Sequence, residues 1–352
     1  MCNAVKTSVV IATYNGERFI EQQLDSIISQ TVLPSEIVIS DDGSSDLTIN
    51  IINEFIDNHK EYPIDFTVLS NNTNEHGVCA NFEYAVSHAR GEYIFFCDQD
   101  DIWLENKIER SLSILEGTTR NVLMHNAQVI KENDKGEFHL VEMHLMPDLH
   151  FDMNNLCFVD GRSFEHMKFF HCIIQGMCLC VKRSYLQSVL PFSRGRNHDD
   201  WLLFCALSDN TLIAVNEDLA YYRIHKNNTA GLPEYKNKRP FTQRVATYDE
   251  NGKKSIIHQF LWYKDAVNYL GNRPISNDEV NLIVAFFTDQ RIELIKTNRL
   301  IATIGLLKSY KKGVYKIDGK PLLFHDLAFV WCHSKKNRIE FTRQLTDKLR
   351  IL

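Results

Sequence analysis

Several features that would assign this chain quickly are missing from it. Its nine cysteines are odd in number and none are spaced as a CxxC pair. Neither a disulfide framework nor a closely spaced zinc site is indicated, and a reducing cytoplasm is the expected compartment. No apolar run approaches the ~20 residues of a membrane-spanning helix; the run over residues 321–332 is interrupted by His325 and Asp326. The first ten residues have no charged segment followed by a long apolar one, so no export signal is expected. No GxGxxG loop follows the first strand-like run, which disfavours a dinucleotide fold. Positive charge is scarce outside the tail: residues 1–300 carry 28 Lys or Arg against 41 Asp or Glu. Such an acidic body argues against nucleic acid as a partner.

What is present is an ordinary globular composition, with 352 residues, 44% hydrophobic and 24% charged, enough for one large domain with an annex or for two domains. Short apolar runs at residues 8–12, 36–40, 66–69 and 92–97 alternate with segments of helical spacing that carry Phe19, Leu24 and Ile27, then Ile52 and Phe55, then Phe82 and Val86. Runs and helices in this alternation predict βαβ units and a mixed, mainly parallel α/β sheet flanked by helices. Residues 1–115 are expected to form a nucleotide-binding half and residues 116–230 a second half facing an acceptor. That second half begins with a hairpin over 121–130 and 137–143, has strands at 175–181 and 219–224 and a helix at 201–207, and carries a functional loop over 143–168. Residues 231–352 should form a helical C-terminal region, with a linker or exposed helix edge at 234–254 and helices at 256–270, 278–296, 300–309 and within 324–352.

Ligands of open α/β sheets bind at the carboxyl ends of the strands, and here those ends are acidic. Strand one ends in Thr13-Tyr14-Asn15-Gly16, strand two in Asp41-Asp42-Gly43-Ser44-Ser45-Asp46, and strand four in Asp98-Gln99-Asp100-Asp101-Ile102-Trp103. Asp46 reads as the cap of the next helix. Asp41 and Asp42 could accept from a base N–H or a ribose hydroxyl. Three carboxylates within four residues repel one another, and Mn2+ or Mg2+ relieves that cost while bridging carboxylate to phosphate. The alternative is a capped turn ahead of a helix over 105–115.

These elements, with Ala89-Arg90-Gly91-Glu92-Tyr93-Ile94, resemble in order and spacing the family 2 glycosyltransferases of GT-A fold, and Asp98-Gln99-Asp100-Asp101-Ile102-Trp103 resembles their bacterial rhamnosyltransferase-like branch. The likeness extends through residues 175–183, His198-Asp199-Asp200-Trp201 and Tyr222-Arg223-Ile224-His225-Lys226-Asn227-Asn228. It implies that Tyr14 stacks on a nucleotide base, Asp42 accepts from its ring N–H, and Ala12, Thr13, Asn15, Asp41, Asp98 and Gln99 complete the nucleotide site. It implies that Asp100 and His225 hold the metal and that Asp199 is the catalytic base. Asp101, Trp103, His198, Asp200, Trp201 and Arg223 would stand on the acceptor side or behind the ligands. The segment around His76 and Asn81 departs from the family in having Ala80 where an Arg is usual. Cys97, Cys172, Cys178 and Cys180 read as small buried hydrophobes.

The resemblance thus implies an inverting, metal-dependent transferase that takes a UDP- or dTDP-sugar as donor. The acceptor would be a hydroxyl of a bacterial surface polysaccharide or its lipid-linked precursor. Two other readings remain open at this point: a sugar-phosphate nucleotidyltransferase, and a non-catalytic scaffold that binds nucleotide sugar. The last 52 residues hold 11 Lys or Arg against 4 Asp or Glu. They form either a helical annex with a solvated basic face or a peripheral contact with the cytoplasmic face of the membrane.

Overall fold

The computed structural model describes residues 6–145, 151–152, 157–158, 175–226, 228, 248–271, 278–312, 326–327, 329–331 and 334–351. The chain divides into two compact units, one of residues 1–192 with 197–231 and one of 193–196 with 232–352.

In the first unit, β1 (Thr7–Thr13), α1 (Ile20–Ile28), β2 (Glu36–Asp41), α2 (Thr48–Asn58), β3 (Asp65–Ser70), α3 (Val78–His88) and β4 (Tyr93–Asp98) follow one another as strand and helix in turn. Strands β1, β2, β3 and β4 pair in parallel in the order β3-β2-β1-β4. Val9, Val10 and Ile11 are all fully buried, as are Ile37, Val38 and Ile39. A strand covered on both faces reads as a continuous apolar run, which is why the runs were legible. Beyond β4 come β5 (Ile102–Trp103), α4 (Lys107–Glu116), β6 (Val122–Glu132), β7 (Phe138–His144), β8 (Phe151–Asp152) paired with β9 (Cys157–Phe158), β10 (Leu179–Lys182), α5 (Arg183–Ser188), α6 (His198–Ser208) and β11 (Leu212–Ile224). The sheet continues β4-β10-β6-β11-β5, with β7 hydrogen-bonded to β6. Strand β10 runs antiparallel to both β4 and β6, whereas β6 and β11 are parallel. Strand β1 therefore has β2 on one side and β4 on the other, and the crevice outside their carboxyl ends is where such sheets take ligands.

Several expectations are corrected. Residues 175–181 are not one strand, because Gly176–Cys178 form a 3-10 turn before β10. Helix α6 begins at His198, three residues ahead of the expected 201, which puts Asp199 and Asp200 in its first turn. Strand β11 starts at Leu212, seven residues earlier than expected, with two register shifts between Val215 and Tyr221. The N-cap position of α2 is Leu47, yet Asp46 still serves this helix end by accepting from Thr48 N at 3.0 Å. Of the expected loop 143–168, most lies outside the described residues, as do Cys172 and residues 234–247.

The second unit is helical. It contains α7 (Tyr248–Leu270), α8 (Asp278–Ala285), a π-helical turn Phe286–Gln290, α9 (Arg291–Lys296), α10 (Arg299–Lys311) and α11 (Lys335–Ile351). The expected single helix over 278–296 is thus interrupted by the wider π turn. Its core holds Trp262, Tyr263, Phe287, Ile295 and Leu306, with Tyr263 stacked on Phe287 at 5.0 Å. Buried Arg291 pairs with buried Asp326 at 2.9 Å, and Arg338 closes three backbone carbonyls, Ile295, Thr297 and Val330. No helix among the described residues is long and apolar enough to cross a membrane.

Candidate active site

A cleft of about 340 Å³ opens at the carboxyl ends of β1, β2 and β4. Ala12, Thr13 and Tyr14 reach it from β1, Asp42 from β2, Asp98, Gln99 and Asp100 from β4, and His198 and Asp199 from α6. Tyr14 is 58% exposed, an aromatic face presented to solvent at the rim.

The two neighbouring aspartates after β2 do different work. Asp41 is turned inward, where its carboxylate accepts from Thr13 Oγ1 (2.9 Å), Gly43 N (3.0 Å) and Ser44 N (2.8 Å). It closes its own turn and does not line the cleft. Asp42 does line it, held by Asn71 Nδ2 (3.0 Å), His76 Nδ1 (2.8 Å) and Gly77 N (2.7 Å). The segment with Ala80 in place of Arg therefore meets the site through His76 and Gly77. Asn81 is buried beneath it, donating to Thr13 O and Ser40 O and so joining β1 to β2. Asn15, at φ 49°, accepts from Ser45 N (2.9 Å) and ties the β1 loop to the β2 turn.

Within the loop after β4, Gln99 clamps Tyr14 from both sides: its Oε1 accepts from Tyr14 N at 2.9 Å and its Nε2 donates to Tyr14 O at 3.1 Å. Asp98 lines the cleft, and burial with the charge of Asp100 pushes its carboxyl up to about 7. Asp101 lies deeper; its Oδ1 accepts from Arg223 N at 2.9 Å and its Oδ2 has no partner. Burial, Asp100 and Asp98 hold Asp101 well above the usual carboxylate range. Beneath this loop sits Lys107, fully buried, donating to Met177 O at 2.6 Å with its ammonium 3.8 Å from the Trp103 ring centre. Burial brings it down to about 8, while Asp101 and the nearby thiols favour its charge.

Asp100 pairs with an imidazole. Its Oδ2 lies 2.9 Å from His225 Nε2, and the imidazole rests against the Phe19 ring. Asn228 ties down the end of β11, accepting from His225 N (2.6 Å) and donating to Arg223 O (3.0 Å).

On α6, His198 is buried among Phe82, Phe96 and Phe192, and neither ring nitrogen has a partner. Burial brings it down to about 3, so it is a neutral imidazole. A Cβ on Gly176 would lie 2.4 Å from its Nε2, so only glycine fits opposite. Asp199 faces the cleft, with its Oδ1 accepting from Asp200 N at 2.8 Å. Acidic residues in the first turn are favoured by the helix dipole.

Eight of the proposed residues are not among those that line the cleft: Asn15, Asp41, Asp101, Trp103, Asp200, Trp201, Arg223 and His225. Trp103 is packed under Lys107, and Trp201 anchors α6 by donating from Nε1 to Val189 O at 2.8 Å. Arg223 is buried between the Phe19 and Phe138 rings, donating to Gln22 Oε1 at 2.6 Å. The cleft also gathers residues that sequence reasoning did not single out: Phe82, Gln175, Gly176, Asn197, Tyr222 and Asn228. Gln175, Gly176, Tyr222 and Asn228 lie within the recognised motifs, whereas Phe82 and Asn197 stand next to Asn81 and His198.

The donor set at Asp100 and His225 suits a divalent cation: one carboxylate oxygen and one imidazole nitrogen lie 2.9 Å apart, with the carboxylates of Asp98 and Asp101 near Asp100. No group of three His, Cys, Asp or Glu among the described residues forms a ready-made cage. Mg2+ and Mn2+ are usually held by one or two carboxylates plus phosphate and water.

The model of the glycosyl transferase family 2 matches residues 8–184. The dTDP-rhamnosyl transferase RfbG of Shigella flexneri is 30% identical over 283 residues, spanning 77% of this chain and 86% of that one. An uncharacterized glycosyltransferase of Nostoc is 27% identical over 64% of this chain, and the match spans 66% of its own length. Among solved structures, S. aureus TarS 1–349 in complex with UDP-GlcNAc gives a TM-score of 0.55 at 16% identity, over 98% of this chain and 91% of that one. The mannosyltransferase PcManGT from Pyrobaculum calidifontis, in complex with GDP-Man and Mn2+, gives 0.50 at 16% identity, over 92% and 85%. Fold, motif order and family match coincide on the same strand ends, and the chain is a glycosyltransferase that belongs to family 2 with the GT-A fold.

Proposed function

We propose that the chain is an inverting, metal-dependent glycosyltransferase that moves a sugar from a UDP- or dTDP-sugar to a hydroxyl of a bacterial surface polysaccharide or its lipid-linked precursor. The observation that carries this reading is the meeting, in one cleft, of Tyr14, Asp42, Asp98 and Asp100 from the strand ends with Asp199 from α6. RfbG, whose name specifies a dTDP-rhamnosyl transferase, supports the donor class.

In this reading Tyr14 stacks on the base, Asp42 accepts from its ring N–H, and Asp98 takes the ribose. Asp100 and His225 would hold Mn2+ or Mg2+, whose charge stabilises the departing diphosphate. Gln99 fixes the Tyr14 backbone so that the aromatic face is positioned before the donor arrives. Asp199 accepts the proton of the acceptor hydroxyl as that oxygen forms its bond to the anomeric carbon; the bond from that carbon to the diphosphate oxygen breaks, and the nucleoside diphosphate leaves with the electron pair. Asp200, through its backbone N–H, keeps the Asp199 carboxylate in place. His198, neutral and wedged between aromatic rings, sets the start of α6. A single displacement inverts the anomeric configuration.

Thermal-shift measurements with UDP- and dTDP-sugars test the donor and metal assignments. The expected shift requires Mn2+ or Mg2+, disappears in Asp100→Ala and persists in Asp199→Asn, whose turnover falls roughly 10²–10⁴-fold. A shift independent of both metal and Asp100, or a product that keeps the donor's anomeric configuration, would sink the mechanism.

A further inference from the structure

Helix α10 is apolar on two sides. Its inner side is set by Ala302 and Leu306, both fully buried, and by Gly305, where a Cβ would come within 2.3 Å of Leu294. The side chain of Asn298 caps its first turn by accepting from Ile301 N at 2.9 Å. The opposite side should be polar if water were its only neighbour. Instead Leu300 is 67% exposed, Ile301 52%, Ile304 45% and Leu307 42%. Positions 300, 304 and 307 fall on one stripe, and the next place on it, 311, is an exposed lysine. Trp331 extends the patch: it is exposed, donates from Nε1 to Thr303 Oγ1 at 3.1 Å, and lies 5.8 Å from the Arg299 guanidinium. Lys308, Lys311 and Lys312 rim the carboxyl end of the helix, all exposed.

We infer that this face of α10, with Trp331, is a peripheral docking surface for a bilayer rich in anionic phospholipid. The leucine and isoleucine side chains enter the boundary between headgroups and acyl chains, Trp331 sits at the interface, and the lysines meet lipid phosphate. Charge supports lipid over other occupants. The region from 301 onward carries a net +7 on a chain whose net charge is −6. Lysine is depleted at protein–protein interfaces, yet three rim this patch. Antiparallel pairing with a second copy would set Arg299 of one helix against the lysines of the other, like charge against like. This surface stands independently of the reaction proposed above, and its test reads vesicle binding and not transfer.

The test is co-sedimentation of the full chain with vesicles containing phosphatidylglycerol and with vesicles of phosphatidylcholine alone. Binding is expected to the anionic vesicles, to weaken with added salt, and to fall roughly tenfold or more both in Ile304→Glu/Leu307→Glu and in Lys308→Glu/Lys311→Glu/Lys312→Glu. Leu140→Glu, an exposed apolar residue of β7, should bind as wild type does. The thermal unfolding midpoint measured without ligand reports folding in every variant, and the lysine variant keeps the test open if the apolar one fails to fold. Unchanged binding in both multiple variants would overturn the inference. So would a dimer, seen by sedimentation velocity, that the apolar variant dissociates without any effect on vesicle binding.

Discussion

His198 and Asp199 are adjacent on α6 and face opposite demands. As the proposed base, Asp199 would have to stand where a hydroxyl can reach it, and it lines the cleft, whereas His198 is sealed among aromatic rings with both nitrogens unpartnered. An imidazole held there cannot take a proton until about pH 3, while in the unfolded chain it does so near 6.5. Between those values the unfolded state binds the extra proton, so stability falls as pH falls through that window. Chemical denaturation at pH 7 and pH 5 should show the wild type losing about 2 kcal/mol more than His198→Gln; equal losses would mean that His198 titrates normally in the folded protein. Lys107 teaches the complementary lesson about what a sequence hides. Within the helical pattern of α4 it reads as one more solvated lysine, and nothing in its spacing tells that it is buried under the Asp98–Asp101 loop. Asp41 and Asp42 were equally ambiguous, since adjacent identical residues can be told apart only by which one the turn turns inward.

Among the elements, β1, β2 and β4 were legible because strands buried on both faces leave uninterrupted apolar runs, and a helix between such strands leaves its own period. The elements that sequence placed wrongly are those whose geometry is irregular: the 3-10 turn at Gly176–Cys178, the π turn at Phe286–Gln290 and the register shifts of β11. Each departs from the 2- or 3.6-residue period on which pattern reading depends. The start of α6 was missed for another reason: its first turn is His-Asp-Asp, polar residues that break the apolar spacing although the dipole favours acids there. Gly91 shows how tightly the parallel strands are joined. A Cβ there would lie 2.6 Å from Ser8 N and 2.7 Å from Thr7 C, both backbone atoms of β1 that cannot give way. Gly91→Ala should therefore cost about 3 kcal/mol, measured as a lowered denaturation midpoint with no change in slope. An unchanged midpoint would show that β1 and the Gly91 turn can separate.

For the whole molecule, the average charge misleads. Residues 1–300 carry −13 and the last 52 carry +7, and at physiological salt the two ends are screened from each other beyond about 8 Å. The chain should accordingly be retained on a phosphate-bearing matrix at neutral pH and low salt, despite its net negative charge. The Lys308→Glu/Lys311→Glu/Lys312→Glu variant should elute in the flow-through; retention equal to wild type would place the attraction elsewhere. The hold of His76 on Asp42 has a consequence in time. The carboxylate proposed to take the nucleotide base is already engaged by three donors, and an incoming ring N–H competes with the most exposed side chain among them, His76. Nucleotide association then includes a unimolecular step. In stopped flow the observed rate should level off as nucleotide concentration rises, and in His76→Ala it should climb linearly over the same range.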